Sequence, residues 1–361
     1  MVLSPARRRS LREKVLKSYD PDQKIPDSNS LFGLPFGLTE SELVILPVPW
    51  DVTHVNDGAA DAPDAVLEAS TEISLYRDYL KDSWKKGIYM QNIPLKWKES
   101  SYELRKIRNR IKKNNAKKLS ETKKNEHLRD CRNVNNTCRL LNEWVESKCC
   151  DYLKLDKIVG LLGGDQSISS GCLRALAKKY NSFGILHLDA HSDLRSSIDG
   201  LEYTDFSSMW WALKIPEIEK ICLFDIREST YSEKEIMSKE IRRISVFSDF
   251  DIKEKQLRGV TWKMIVNEVL SLLPGNIYIS LDIDVLTQWH GTGVAFPETG
   301  GLTYEEIRSL LYEIKKCKKK IIGFDLCGIR PLKERNWEAK LGASLLFDLA
   351  SFCLESNFGE D

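Results

Sequence analysis

The chain has 361 residues, 42% of them hydrophobic, enough apolar material for one large α/β domain or two small ones. A formal net charge of +1 gives no global attraction to nucleic acid or to an anionic membrane, and no run of 18 apolar residues predicts a membrane span. Nine cysteines, an odd number with no CxxC pair, point to reduced thiols in a cytoplasmic protein.

The opening stretch MVLSPARRRSLREKVLK is basic but lacks the apolar centre of a secretory signal. Residues 1–18 are therefore expected to form a disordered or weakly helical arm, with a single domain over 19–361. A β-branched run at 42–47 predicts the first strand, and helical spacing follows at 61–74. A Lys/Asn-rich texture at about 97–132 reads as a solvated helical excursion. Within it, residues 105–132 hold twelve Lys/Arg against three acids. No aromatic residues interleave those charges, so nucleic acid is not an expected partner. Helix 136–154, with Cys149 and Cys150 as packing residues, leads into strand 157–162. From there helices at 169–180, 206–215, 232–241, 261–273, 303–316 and 336–355 alternate with strands at 183–188, 220–226, 243–248, 276–281 and 320–326. Gly184 and Gly323 stand beside strand starts, and Pro274-Gly275 closes a helix. Seven continuous apolar strands separated by helices specify an α/β fold with a mostly parallel central sheet covered on both faces.

In such a sheet, ligands bind at the carboxyl ends of the strands. Three strand ends carry chemistry there: GGDQS (163–167), LDAHSDLR (188–195) and SLDIDVL (280–286). If strand geometry persists past its end, Asp189, His191 and Asp193 share one face, and Asp282 and Asp284 do the same. A lone aspartate at a strand end is ordinarily a helix N-cap, but five ligand-type residues at two such ends exceed that role. Four carboxylates and an imidazole suit a divalent ion such as manganese. Their mutual repulsion requires a cation, a nearby arginine or raised pKa values, and Arg195 is the nearest arginine in sequence.

These three strand ends resemble the signatures of the ureohydrolase superfamily, which contains arginases, agmatinases and formiminoglutamases. The likeness runs from LPVPWDVT (46–53) to WEAKLGASLLFDL (337–349). It is nearest to a bacterial and protozoan arginase-like branch, in which FGLPF, WDVT, DAHxDLR and IIGFDL also occur. The resemblance implies a three-layer α/β/α sandwich, a binuclear manganese cluster bridged by hydroxide, and trimers or hexamers. The hydroxide attacks a guanidinium or formimino carbon. It also implies that Asp189 and Asp282 bridge the ions, that His191 and Asp284 complete the second-ion site, and that Asp193 serves the first.

The first ion's histidine falls at Gln166, whose neutral amide is a much weaker ligand. One divalent ion, manganese or another, is therefore expected rather than two, with none as the alternative. Asp205 stands where the branch has a histidine and could still move protons. The glutamate that pairs with a substrate guanidinium falls at Gly328. The acid-proline after Asp284 becomes VLTQWHGTG, and the Gly-rich turn at the mouth becomes HVNDGAADAP (54–63). His187 points to the same side as Asp189 but deeper, as a buried or supporting histidine. His54 and His290 lie near the rim, with His290 a candidate to reach the site, and His127 is expected in solvent. Three readings follow. The first is a family protein that has lost arginase and agmatinase activity, a pseudoenzyme holding one ion or a small-molecule ligand. The second is an active metal-dependent hydrolase of another linear amidine. The third is a scaffold or partner subunit that uses 105–132 for contacts.

Overall fold

The computed structural model of the chain describes residues 4–23, 30–54, 56–115, 119–287, 298–332 and 337–359. Eight strands form one sheet: β1 (Leu43–Val48), β2 (Ile88–Met90), β3 (Ile158–Gly163), β4 (Phe183–Leu188), β5 (Ile218–Ile226), β6 (Ile244–Ser248), β7 (Asn276–Asp282) and β8 (Lys320–Cys327). Their order is β2-β1-β3-β8-β7-β4-β5-β6, and every pairing is parallel. The seven expected strands are present within two residues of their predicted ends. The eighth, β2, is a three-residue edge strand too short to leave a periodic signal.

Alternation along the strands divides the core between the two faces. Leu43 and Ile45 face the layer of α2 (Ala62–Ser70), α9 (Trp262–Leu272), α10 (Tyr304–Lys316) and α11 (Trp337–Phe358). Val44 and Leu46 face α3 (Leu95–Asn115), α4 (Glu121–Lys154), α5 (Ser169–Ala177) and α6 (Ser208–Ala212). Every residue of β1, β3 and β4 is buried. Burial on both faces is why these strands read as unbroken apolar runs, and each Leu or Ile so placed contributes about 1.5–3 kcal/mol. Two further helices, α7 (Tyr231–Lys239) and α8 (Asp249–Leu257), flank β6; α8 was not anticipated from the sequence. No helix among the described residues is long and apolar enough to cross a membrane, and all nine cysteines are free thiols.

Two expectations change. The basic arm contains a docked helix, α1 (Pro5–Leu16), capped by Ser4. Arg8 and Arg12 are buried and converge on Glu42, just before β1, at 3.2 and 2.6 Å. Basic composition suggested solvent because a buried carboxylate partner leaves no mark in the local sequence. The segment 97–132 is helical, but it is no excursion. Trp97, Leu104 and Ile111, seven residues apart, are buried along α3, and Cys131, Val134, Cys138, Leu141 and Val145 are buried along α4. This narrow seam is hidden in the sequence by the Lys, Arg and Asn between its members. Arg105 and Arg108 of α3 turn inward, onto Asp51 and Asp57 beyond the end of β1.

Candidate metal centre

The carboxyl ends of β3, β4, β7 and β8, four neighbours in the sheet, bring the site together. After β3 the chain passes against the loop that leaves β1. Gly164 N donates to Val48 O (3.1 Å) and Asp165 N donates to Trp50 O (2.8 Å). A Cβ on Gly164 would overlap the Trp50 carbonyl, so this close crossing requires glycine. Asp165 is spent on the turn itself, accepting from Ser167 N (3.1 Å) and Thr53 Oγ1 (3.2 Å). Burial, together with nearby Asp51, pushes its carboxyl up to about 7 against these hydrogen bonds. Gln166 follows and projects into the pocket.

From β4, Asp189 Oδ1 accepts from His191 N (2.6 Å), and His191 Nδ1 lies 3.4 Å from that oxygen. From the turn after β7, Asp284 Oδ2 lies 2.9 Å from the same Nδ1, while Asp284 Oδ1 accepts from Ala190 N (2.9 Å). Asp189, His191 and Asp284 thus present donor atoms within 4.8 Å of one another, all buried. Burial opposes a charge on His191, but the two carboxylates override it and raise the imidazole to about 12. Asp284 is correspondingly lowered by His191 despite its burial. Asp189 is raised to about 7 by burial and by Asp284. In this arrangement a proton on His191 occupies the place that a cation would take, and ion binding would release it. One oxygen-rich, nitrogen-containing triad fits a divalent ion of the manganese type.

The other predicted ligands sit differently. Asp193 has φ +53, so strand geometry ends before it and its carboxylate does not join the triad. Its Oδ2 accepts from Ser208 Oγ (2.8 Å) and lies 3.9 Å from His187 Nε2, which is 3.5 Å from Asp189 Oδ2. His187, Asp189 and Asp193 form a second group with ligand spacing. His187 is fully buried, as expected, and its Nε2 lies 3.2 Å from the His191 carbonyl. Burial lowers it to about 4, so it is neutral. Asp282 also stays outside the triad. It turns back to accept from Asp284 N (2.9 Å) and leans over Gly328, which has φ +79; a Cβ at 328 would overlap its carboxylate. Burial and the neighbouring acids raise Asp282 and Asp193 well above the usual carboxylate range.

Gln166 is 1% exposed. With its amide nitrogen turned to the carboxylates, it donates to Asp193 Oδ2 (2.6 Å) and Asp189 Oδ2 (3.0 Å), and its oxygen accepts from Ser280 Oγ (3.1 Å). Ser280 Oγ lies 3.0 Å from Asp325 Oδ1. Asp205 meets a partner that the sequence did not disclose: its Oδ2 is 3.2 Å from His54 Nδ1, delivered by the loop after β1. Burial lowers His54 to about 4 and, with nearby Asp165, raises Asp205 well above its ordinary value. His54, Gln166, Asp205 and Asp282 line one cavity with the triad, about 20 Å3 in volume, room for a single ion or water.

Arg195 is not the counter-charge for these acids. It bonds Glu233 (3.4 Å) and lies over the Phe206 ring (4.9 Å). Arg227 takes that place instead, donating to the Asp284 carbonyl and helping to lower the Asp284 carboxyl. His127 is half-buried against Cys131 Sγ at 3.7 Å rather than in solvent. His290 lies outside the described residues.

A family model described as "Arginase family" matches residues 41–351. The chain is 26% identical over 310 residues to an agmatinase of Bacillus cereus, covering 84% of this chain and 89% of that protein. It is 24% identical over 294 residues to an N(1)-aminopropylagmatine ureohydrolase of Thermus thermophilus, covering 81% and 84%. Among solved structures, the agmatine ureohydrolase of Thermoplasma volcanium superposes with a TM-score of 0.68 at 22% identity, covering 94% of this chain and 97% of that one. An arginase from Bacillus cereus gives 0.62 at 22%, covering 89% and 99%.

Proposed function

The chain belongs to the arginase family, and from that premise we propose that it binds one divalent ion, manganese or a similar metal, and does not hydrolyse arginine or agmatine. The observation that carries this reading is the space beside Gly328. The position where the family's substrate-pairing glutamate is expected has no side chain, and Asp282 has moved into the room that one would need. A cationic guanidinium has no carboxylate to hold it there. When bound, the ion would supply Lewis acidity to the pocket. Asp189, His191 and Asp284 are the residues placed to hold it. The test is metal analysis of protein purified with Mn2+, together with urea release from arginine and from agmatine. One equivalent per chain and no urea above a metal-free control are expected; two equivalents, or urea, would refute the reading.

A second reading is supported by the His54–Asp205 pair. A neutral imidazole and a carboxyl raised well above its ordinary range, 3.2 Å apart in the same cavity, can hold and pass a proton. On this reading the protein hydrolyses another linear amidine, a guanidino or formimino compound. Release of urea, ammonia or formamide from such a compound, lost in His54→Ala, would establish it in place of the first. A cytoplasmic location and a homo-oligomeric assembly of trimer or hexamer type belong to either reading; sedimentation of the purified chain tests the latter.

A further inference from the structure

We propose that the Gln166 carboxamide substitutes for the first ion: its nitrogen bridges Asp189 and Asp193, so that these two carboxylates are held together by a neutral donor and only the Asp189–His191–Asp284 position loads metal. The inference deepens the one-ion reading and rests on it.

An amide has two N–H donors and one acceptor oxygen. Turned toward the acids, Gln166 uses all three functions, with Asp193 Oδ2 at 2.6 Å, Asp189 Oδ2 at 3.0 Å and Ser280 Oγ at 3.1 Å. Turned the other way, it keeps its contacts to Ser280 and Asp325 but sets its oxygen against two carboxylate oxygens. The network therefore selects the first orientation. Both oxygens that it bridges also face His187 Nε2, at 3.5 and 3.9 Å, so the amide nitrogen stands where the ligand-spaced group His187, Asp189 and Asp193 converges. Ser280 fixes the amide from behind by donating its one hydroxyl hydrogen to the amide oxygen, and Asp325 Oδ1 lies 3.0 Å from the same hydroxyl. The Gln166 backbone is held as well, its carbonyl accepting from Ser169 Oγ (3.1 Å). A histidine at 166 could offer these acids at most one N–H and would leave them to a cation. Glutamine offers two donors and needs no cation, so loss of the family's ligand and loss of the ion are compensated by one residue.

The experiment compares chelator-treated full-length chains by thermal melting and then titrates them with Mn2+ by calorimetry. The wild type is expected to bind one Mn2+ and to melt higher with that ion than without it. Gln166→Met, similar in length but without donors, is expected to melt about 1–4 °C lower when metal-free, from the loss of two hydrogen bonds. Ser280→Ala, which frees the amide to turn, should fall by a smaller amount in the same direction. Gln166→His is expected to lose metal-free stability likewise, to bind two Mn2+ and to recover its melting temperature on loading. Metal-free Gln166→Met and Ser280→Ala melting with the wild type would overturn the bridge, even where the wild type binds one ion. Two Mn2+ on the wild type would overturn the one-ion reading itself. If Gln166→Met does not fold, the Ser280→Ala melt and the Gln166→His stoichiometry decide.

Discussion

Replacing Gly328 by glutamate asks whether the missing anchor can simply be put back. Gly328 has φ +79, a region that costs a residue with a Cβ about 1–2 kcal/mol. The new Cβ would also overlap the Asp282 carboxylate, driving Asp282 off its bond to Asp284 N, a capping contact typically worth about 0.5–2 kcal/mol. Together these place the loss at about 2–4 kcal/mol, or a fall in melting temperature of about 2–5 °C at the usual unfolding entropy per residue for a chain of this length. Gly328→Ala should show nearly the same fall, because the cost lies in the backbone and the Cβ rather than in the charge. Differential scanning calorimetry of both variants, with urea release from arginine measured alongside, checks the reasoning. Arginine hydrolysis by Gly328→Glu alone, or melting temperatures equal to that of the parent, would refute it.

Three other outcomes follow from the same geometry. Glu42→Gln removes the buried carboxylate that Arg8 and Arg12 share, so stability should fall by about 3–5 kcal/mol if α1 stays packed; if α1 leaves instead, trypsin should cut at its arginines in minutes where the parent resists. Ile111→Ala should cost about 2–5 kcal/mol in urea unfolding, because Ile111 is 0% exposed in the α3–α4 seam, whereas a solvated helix would lose almost nothing. Asp225 is buried with φ +73, and burial raises its carboxyl to about 9. Between about pH 4 and pH 9 the unfolded chain ionises this group while the folded chain keeps its proton, so it lowers stability progressively as pH rises through that window. Asp225→Asn should therefore raise the melting temperature, and by more at pH 8 than at pH 5; an equal gain at both would contradict the assignment.

The sheet was legible because parallel strands buried on both faces leave unbroken apolar runs, and the acids that interrupt those runs mark the strand ends. This is how Asp189, His191, Asp193, Asp282 and Asp284 were found together on one rim. Which of them would share an ion was not legible. Asp193 departs through a left-handed backbone, and Asp282 departs because Gly328 leaves room for it, and neither fact follows from spacing along one strand. The His54–Asp205 contact, the Arg227 bond to Asp284 and the burial of Arg8 and Arg12 on Glu42 each join distant segments. Local composition could only read such residues as rim, helix cap or solvated arm. The α3–α4 seam failed for a different reason: a stripe of one apolar residue every seven positions in α3, and every three or four in α4, is diluted below notice by the charges around it.

The bond between Gln166 and Ser280 joins residues 114 apart in the chain, that between Ala190 and Asp284 spans 94, and Ser280 meets Asp325 across a further 45. The bonds of Gln166 to Ser280 and of Ser280 to Asp325 cannot form until β8 has entered between β3 and β7, whereas the bond of Ala190 to Asp284 needs only β4 and β7, which pair directly. During synthesis the β3 side of the pocket is therefore among the last parts of the molecule to form, because a growing chain that stops short of residue 325 cannot bring Gln166 to the acids of β4 and β7. Asp189, His191 and Asp284 can gather once β7 has paired with β4, whereas Gln166 joins them only when β8 has closed the sheet.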